Sequence, residues 1–409
     1  MNPRTNPYAP GAGAPPPELA GRDGVIEAAS IALDRMRAGL VARSLMLVGL
    51  RGVGKTVLLN RLHNEAEAKG FATVMLEAPE KRSLPALLAP SVRAALLKLD
   101  RMAAGGQLAK RALHALGGFV QAMKVKYGDI EFGVDLGLEP GLADTGDLDA
   151  DLISLLQAVG EAARERQTVL VLFIDELQYV PEPQLAALIS ALHRCAQLQL
   201  PVTLIGAGLP QLVGQMGRAK SYAERLFEFT PIGPLPVAAA QQAITAPAQR
   251  SGVQFTPAAL GEIMLQTQGY PYFLQEWGKH SWQCAATSPI DIADVQAATQ
   301  QALAELDASF FRVRLDRLTP SEKRYLRAMA ELGPGPHRSG DIAHNLGREV
   351  QTVAPTRAKL IEKGMVFSPS HGDTGFTVPL FDAFMRRVIP ANPPTPSTAM
   401  PSTDAAPVP

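Results

Sequence analysis

The chain has 409 residues, enough for two or three domains with their own cores, and its apolar content is ordinary for a globular protein. Basic and acidic residues number 39 each, so the formal charge is zero, which excludes a large non-specific nucleic-acid surface but not one small basic site. Cys195 and Cys284 lie far apart without metal-ligand spacing, no apolar run nears the ~18 residues of a membrane span, and the start lacks the pattern of a secretion signal. The expectation is a cytoplasmic protein that engages no membrane.

Residues 1–17, rich in Pro, Gly and Ala, are expected to be a flexible tail. Leu19-Ala20-Gly21-Arg22-Asp23 opens a helical pattern that reaches about Arg37, with Ile26, Ile31, Leu33 and Met36 apolar. Leu45 to Val48 is an apolar run short enough for a buried strand. It feeds Gly49-Leu50-Arg51-Gly52-Val53-Gly54-Lys55-Thr56, and the helix-forming run Val57 to Leu62 follows.

Gly49, Gly54, Lys55 and Thr56 fit the phosphate-binding loop G-x-x-x-x-G-K-[ST], with a strand before it and a helix after. Glycines let backbone N–H groups curl around phosphates with no Cβ in the way, and the helix start turns its positive end toward the anion. The segment Gly49, Gly52, Val53, Gly54, Lys55, Thr56 and Val57 is therefore expected to hold ATP. Lys55 reaches the β/γ-phosphates and the Thr56 hydroxyl ligates Mg²⁺.

Phe71 to Leu76 reads as a second strand and Leu84 to Met102 as a helix. Residues 104–147 break this rhythm and are expected to be an insertion: a basic amphipathic helix from Leu108 to Met123, alternation at Ile130, Phe132, Val134 and Leu136, then a loop. Helix resumes from Asp149 to Arg166. Val169 to Ile174 is the continuous apolar run of a central parallel strand, and it ends in Asp175-Glu176. Asp175 is expected on the metal side opposite Thr56, with Glu176 as the base that activates water. A helix from Glu182 to Gln197 and a fourth strand at Val202 to Ile205 complete an alternation that implies a parallel sheet covered on both faces. From about Pro231 the pattern is all-helical, at Val237–Arg250, Pro257–Gln266, Tyr272–Ala285 and Asp291 to about Arg317.

The phosphate loop, the apolar run ending in Asp175-Glu176, the further strand and the helical segment together resemble an AAA+ ATPase. The nearest branch is that of the origin-recognition initiators and the bacterial and archaeal ATPases with a similar domain. The resemblance covers about residues 18–390. It implies that Gly21 and Arg22 lie over the adenine and that Thr203 sits near the first sensor of the γ-phosphate, where the usual Asn is missing. It also implies that Arg225 is an arginine finger toward a neighbouring protomer, hence a homo-oligomer. The family's second-sensor arginine has no counterpart here, because Gly269-Tyr270-Pro271-Tyr272 puts Tyr272 in its place.

Residues 319–390 have the rhythm of a winged helix: helices at Ser321–Leu332, from Ser339 and at Val350–Lys363, then Met365–Ser368 and Phe376–Val378 flanking a His371-Gly372-Asp373 turn. Gln351, Thr352, Thr356, Arg357 and Lys359 are the expected contacts to double-stranded DNA. Pro355 interrupts the donor ladder, so the third helix starts either at Val350 or at Pro355 itself. The domain plan is a tail (1–17), an α/β P-loop core (18–230), a helical lid and linker (231–318), a winged helix (319–390) and a disordered tail (391–409). The expected activity is a slow, Mg²⁺-dependent ATPase switch coupled to DNA. Its rivals are a signalling or defence NTPase that docks a protein, and an ATPase accessory to transposition or plasmid maintenance.

Overall fold

The computed structural model describes residues 1–11, 13–78, 82–101, 107–124, 139–370 and 372–390. The alternation expected at 130–136 and His371 lie outside the described residues. The chain divides into two compact units, Met1–Glu305 and Leu306–Pro409.

In the first unit, α1 (Asp23–Arg37), β1 (Ser44–Val48), α2 (Lys55–Ala68), β2 (Ala72–Glu77), α3 (Leu84–Arg101), α4 (Gln107–Ala122), α5 (Leu148–Glu165) and β3 (Leu170–Asp175) come first. Then follow α6 (Glu182–Gln197), β4 (Val202–Gly208), α7 (Gln211–Ala219), α8 (Ala223–Leu226) and β5 (Phe227–Pro231). The five strands form one parallel sheet in the order β2-β3-β4-β1-β5. Successive strand residues face opposite sides, as the period of two demands. Leu170, Leu172 and Ile174 of β3 join a core with α3, α4, α5 and α6, while Val171 and Phe173 join a second core with α1 and α2.

The segment read as an insertion is partly core. Ala109, Ala112, Leu113, Ala115, Leu116 and Phe119 of α4 are buried in the first cluster, where this helix packs against α3 and α5. The strand β5 went unread because Phe227-Glu228-Phe229-Thr230 is a short edge strand joining an otherwise helical stretch.

The helical segment is α9 (Val237–Arg250), α10 (Pro257–Thr267), α11 (Pro271–Cys284) and α12 (Ile292–Glu305). The N-terminal residues pack on it instead of forming a free tail. Tyr8 is buried and its hydroxyl donates to the Ile244 carbonyl, Asn6 Nδ2 donates to Lys279 O at 3.0 Å, and Trp282 Nε1 donates to Asn2 O at 2.9 Å. Gly278 makes room for this arm, because a Cβ there would lie 2.6 Å from the Tyr8 ring. Beside it, the Lys279 ammonium meets both oxygens of Glu305 at 2.7 and 2.8 Å and ties α11 to α12.

The second unit begins with a π-turn at Leu306–Phe311, then α13 (Arg312–Asp316), α14 (Pro320–Glu331), β6 (His337–Arg338), α15 (Ser339–Asn345) and α16 (Val350–Glu362). After these come β7 (Val366–Phe367), β8 (Asp373–Phe376) and α17 (Phe381–Val388). Thr319 and Glu322 close a capping box at the start of α14, with Pro320 in the first turn, where a missing N–H costs nothing. The three strands pair antiparallel in the order β6-β8-β7. Helix α16 runs unbroken from Val350 through Pro355, so it does not begin at the proline.

Candidate active site

β1 and β3 are separated in the sheet only by β4, so the turn after β1 and the acids ending β3 meet at one carboxyl edge. This is where a parallel sheet opens a crevice for ligands. The loop's shape depends on its glycines. A Cβ on Gly49 would lie 2.0 Å from the Ile232 carbonyl oxygen, and Gly52 and Gly54 have φ of 82° and 88°. Gly49 N donates to Gly208 O at 3.1 Å, fixing the loop's start to β4.

Lys55 is buried, and its ammonium donates to two carbonyls of its own loop, Gly49 at 3.0 Å and Leu50 at 2.9 Å. Burial lowers its pKa to about 8, against the pull of Glu176 and Asp175. The Thr56 hydroxyl donates to Asp175 Oδ2 at 2.6 Å, and Glu176 N donates to Asp175 Oδ1 at 2.8 Å. Burial pushes the Asp175 carboxyl above its ordinary range, while the Thr56 hydrogen bond opposes that shift. Glu176 sits in left-handed backbone, φ 53°, which turns the chain sharply after β3. Its Oε1 lies 3.9 Å from Arg51 Nη1, and its Oε2 accepts from Gln178 Nε2.

This set fits a nucleoside triphosphate with a divalent metal. The loop has the space that side chains would fill, a buried ammonium, and a hydroxyl already paired with the carboxylate that would share the metal. Residues 18–205 match the family model described as AAA ATPase domain, and 308–385 match a domain of unknown function, DUF8462. That match, with the geometry of the loop and the acids, supports ATP binding and hydrolysis by residues 18–205.

Among solved structures, a Walker-type ATPase of Pyrococcus abyssi aligns over 91% of this chain and 98% of its own, at 15% identity and a TM-score of 0.59, which shows a shared fold. The Aeropyrum pernix Orc1 protein in complex with DNA (16% identity, 91% and 93% covered, TM-score 0.45) aligns too loosely to carry an argument. So does the Thermotoga maritima RuvB Holliday junction branch migration motor (17%, 87% and 92%, 0.41). No curated protein matches the chain.

Within the matched residues, Gly49, Gly52, Val53, Gly54, Lys55, Thr56 and Val57 lie together at the start of α2, with Asp175 and Glu176 opposite. Thr203 does not join them. It pairs with Val171 at the beginning of β4, four residues before Ala207, so it lies roughly 13 Å from the carboxyl edge. Its hydroxyl is buried against Ser44 Oγ at 3.1 Å, a satisfied core contact. Position had to be judged from a strand whose end at Gly208 sequence did not reveal.

Arg22 is also placed structurally. Its guanidinium donates to Val53 O at 3.1 Å and Gly233 O at 2.6 Å, bracing the phosphate loop against the start of the helical segment. Gly21 beside it, at φ 67°, packs against Ala239. Tyr272 N donates to Gly52 O at 3.2 Å while its hydroxyl donates to Glu276 Oε1 at 3.0 Å, so this tyrosine seats the start of α11 on the loop. Arg225 in α8 is exposed.

In the second unit, Gln351, Thr352 and Lys359 are exposed on α16, and Thr356 is half-buried. Arg357 is not available to a ligand as expected. Its guanidinium donates to Thr374 Oγ1 at 2.7 Å, and to Ser368 Oγ and Asp373 O, both at 2.8 Å, holding the β7–β8 hairpin to α16.

Sequence reasoning missed Arg51, Gln178 and Tyr179, which cluster around Glu176; Arg51 Nη2 donates to the Tyr179 hydroxyl at 2.7 Å. Gln178 and Tyr179, two and three residues past Glu176, belong to no motif that marks them in the sequence. Asn6-Pro7-Tyr8, within the stretch expected to be a flexible tail, is seated on α9 and α11.

Proposed function

We propose that the protein is an ATP-dependent molecular switch of the origin-recognition-initiator-like branch, hydrolysing ATP slowly with Mg²⁺ and acting in the cytoplasm. Lys55 holds the β/γ-phosphates, Thr56 and Asp175 hold the metal side, and Glu176 is the base. A bound Mg²⁺ would neutralise phosphate charge there. The observation that carries this reading is the Thr56–Asp175 hydrogen bond beside a buried Lys55. Arg225, exposed on α8, serves as a finger toward a second copy in a homo-oligomer. The absence of a second-sensor arginine, with Tyr272 at that place, supports slow turnover over motor action.

The output is assigned to the second unit read as a winged helix, a reading supported by three helices followed by an antiparallel hairpin. Double-stranded DNA is the first candidate partner, met by Gln351, Thr352, Thr356 and Lys359 of α16. A second reading has its own support. With Arg357 engaged inside the unit, the exposed face of α16 holds Val350, Ala354, Pro355 and Ala358, which suits a protein surface better than phosphates. The deciding experiment measures ATP turnover and duplex binding by the whole chain, with ATP, with ADP and without nucleotide. DNA binding that changes with the nucleotide supports the first reading. Hydrolysis with no duplex binding at low salt supports docking to a protein.

A further inference from the structure

The base in the proposed hydrolysis, Glu176, is the first residue after β3 and stands in left-handed backbone, and its carboxylate is oriented by a hydrogen-bond partner. Gln178, two residues on and itself buried, provides one. Its Nε2 donates to Glu176 Oε2, and its Oε1 accepts from Leu209 N at 3.0 Å. Leu209 is the first residue beyond β4, the strand between the acids and the phosphate loop. One side chain therefore joins the base to the central strand and to the start of α7.

β4 is shaped to allow this. A Cβ on Gly208 would lie 2.9 Å from Gln178 Oε1 and 2.7 Å from Leu212 Cδ2, and one on Gly206 would lie 2.3 Å from Leu177 Cδ1. Small residues at the end of the strand leave the space that the turn after Glu176 fills. The strand offers no polar side chain at that level, because Gly206, Ala207 and Gly208 occupy it and Thr203 faces the core at the other end.

We propose that Gln178 is a positioning residue for hydrolysis, orienting the Glu176 carboxylate from β4 in place of a polar side chain on that strand. The proposal rests on the reading of Glu176 as the base. It acts through Glu176 and not on the nucleotide, so it predicts a split between turnover and binding. A side-chain amide with both ends engaged leaves one orientation: Leu209 N–H demands the oxygen, so the NH₂ must face the carboxylate.

The experiment compares two variants with the full chain. Gln178→Met keeps the length and loses both hydrogen bonds; Gln178→Glu keeps an acceptor for Leu209 N–H and replaces only the donor toward Glu176. Each should lower kcat about tenfold, a fraction of the 10²–10⁴ a positioned base provides, with ATP affinity changed less than about twofold. In a Glu176→Gln background neither substitution should lower the residual rate further, because the group it orients is gone. If Gln178→Met fails to fold, Gln178→Glu carries the test alone, and its melting temperature reports whether the fold is kept. Wild-type kcat in a folded Gln178→Glu protein, or an equal further loss in the Glu176→Gln background, overturns the proposal. A wild-type protein that binds ATP and never turns it over overturns instead the reading beneath it.

Discussion

Substituting Gly49 by alanine tests whether the phosphate loop is held by contact or by backbone conformation. The added Cβ would stand 2.0 Å from the Ile232 carbonyl oxygen and 3.0 Å from Val53 Cγ2, where ordinary contact begins near 3.4 Å. The obstacle is backbone, and it cannot rotate away. Ile232 N donates to Val48 O at 2.7 Å, so moving its carbonyl also disturbs the β1–β5 pairing. Overpacking of this kind costs about 1–3 kcal/mol, and a clash with backbone belongs at the upper end. For a unit of this size that is a melting temperature lower by about 2–5 °C. Gly54→Ala is the contrast: nothing lies within 4 Å of its Cβ, but φ is 88°, so the cost is strain of about 1–2 kcal/mol without displacement of β5. Thermal melts with and without saturating ATP separate the two. Gly49→Ala should lower the nucleotide-free melt more than Gly54→Ala, and both should lose most of the ATP-induced rise. A Gly49→Ala protein with wild-type melting and ATP response would refute the account of how the loop is anchored.

Lys55→Met should stabilise the nucleotide-free protein at pH 7 while abolishing ATP binding. The folded pKa of Lys55, about 8, lies below its ordinary 10.5. The cost of the buried ammonium is therefore fully present below pH 8 and fades as pH rises toward 10.5. The gain in denaturant melts should be at most about 3 kcal/mol and should shrink between pH 8 and 10, the lost hydrogen bonds offsetting part of it. Arg225→Ala should slow hydrolysis without weakening ATP affinity, and mixing it with Lys55→Ala should partly restore activity if the finger acts across protomers; a rate independent of protein concentration with no rescue argues for a structural arginine. Arg357→Ala should destabilise the second unit by ~1–3 kcal/mol, because three acceptors lose their donor, and should leave the salt slope of duplex binding unchanged. Lys359→Ala should flatten that slope by about one unit if DNA is bound; opposite results for the pair would return Arg357 to the interface.

Much of the active site was legible because its signals are local. A phosphate loop between a four-residue apolar run and a helix carries its own context, and Val169 to Asp175 can only be a buried strand ending in an acid. The rest needed three dimensions. Thr203 failed as a sensor because the extent of β4 is set by pairing, with Gly206 to Gly208 continuing the strand to the edge where Thr203 was expected to be. Gln178 was invisible for the complementary reason: its importance comes from Leu209, 31 residues away. Arg357 looked like a groove-facing cation in a helix, and only the hairpin that follows shows where its donors go. The arm at residues 1–11 reads as low-complexity sequence, yet Tyr8 finds a slot that Gly278 leaves open.

The central claim is that Glu176 is the base of an ATP hydrolase whose nucleotide is held by Lys55 and Thr56. The most direct measurement is single-turnover hydrolysis of ATP by the wild-type and Glu176→Gln proteins, alongside ATP affinity for each. The account predicts affinity within a few-fold of wild type and a rate lower by about 10²–10⁴ in Glu176→Gln. Equal turnover by the two proteins would contradict it.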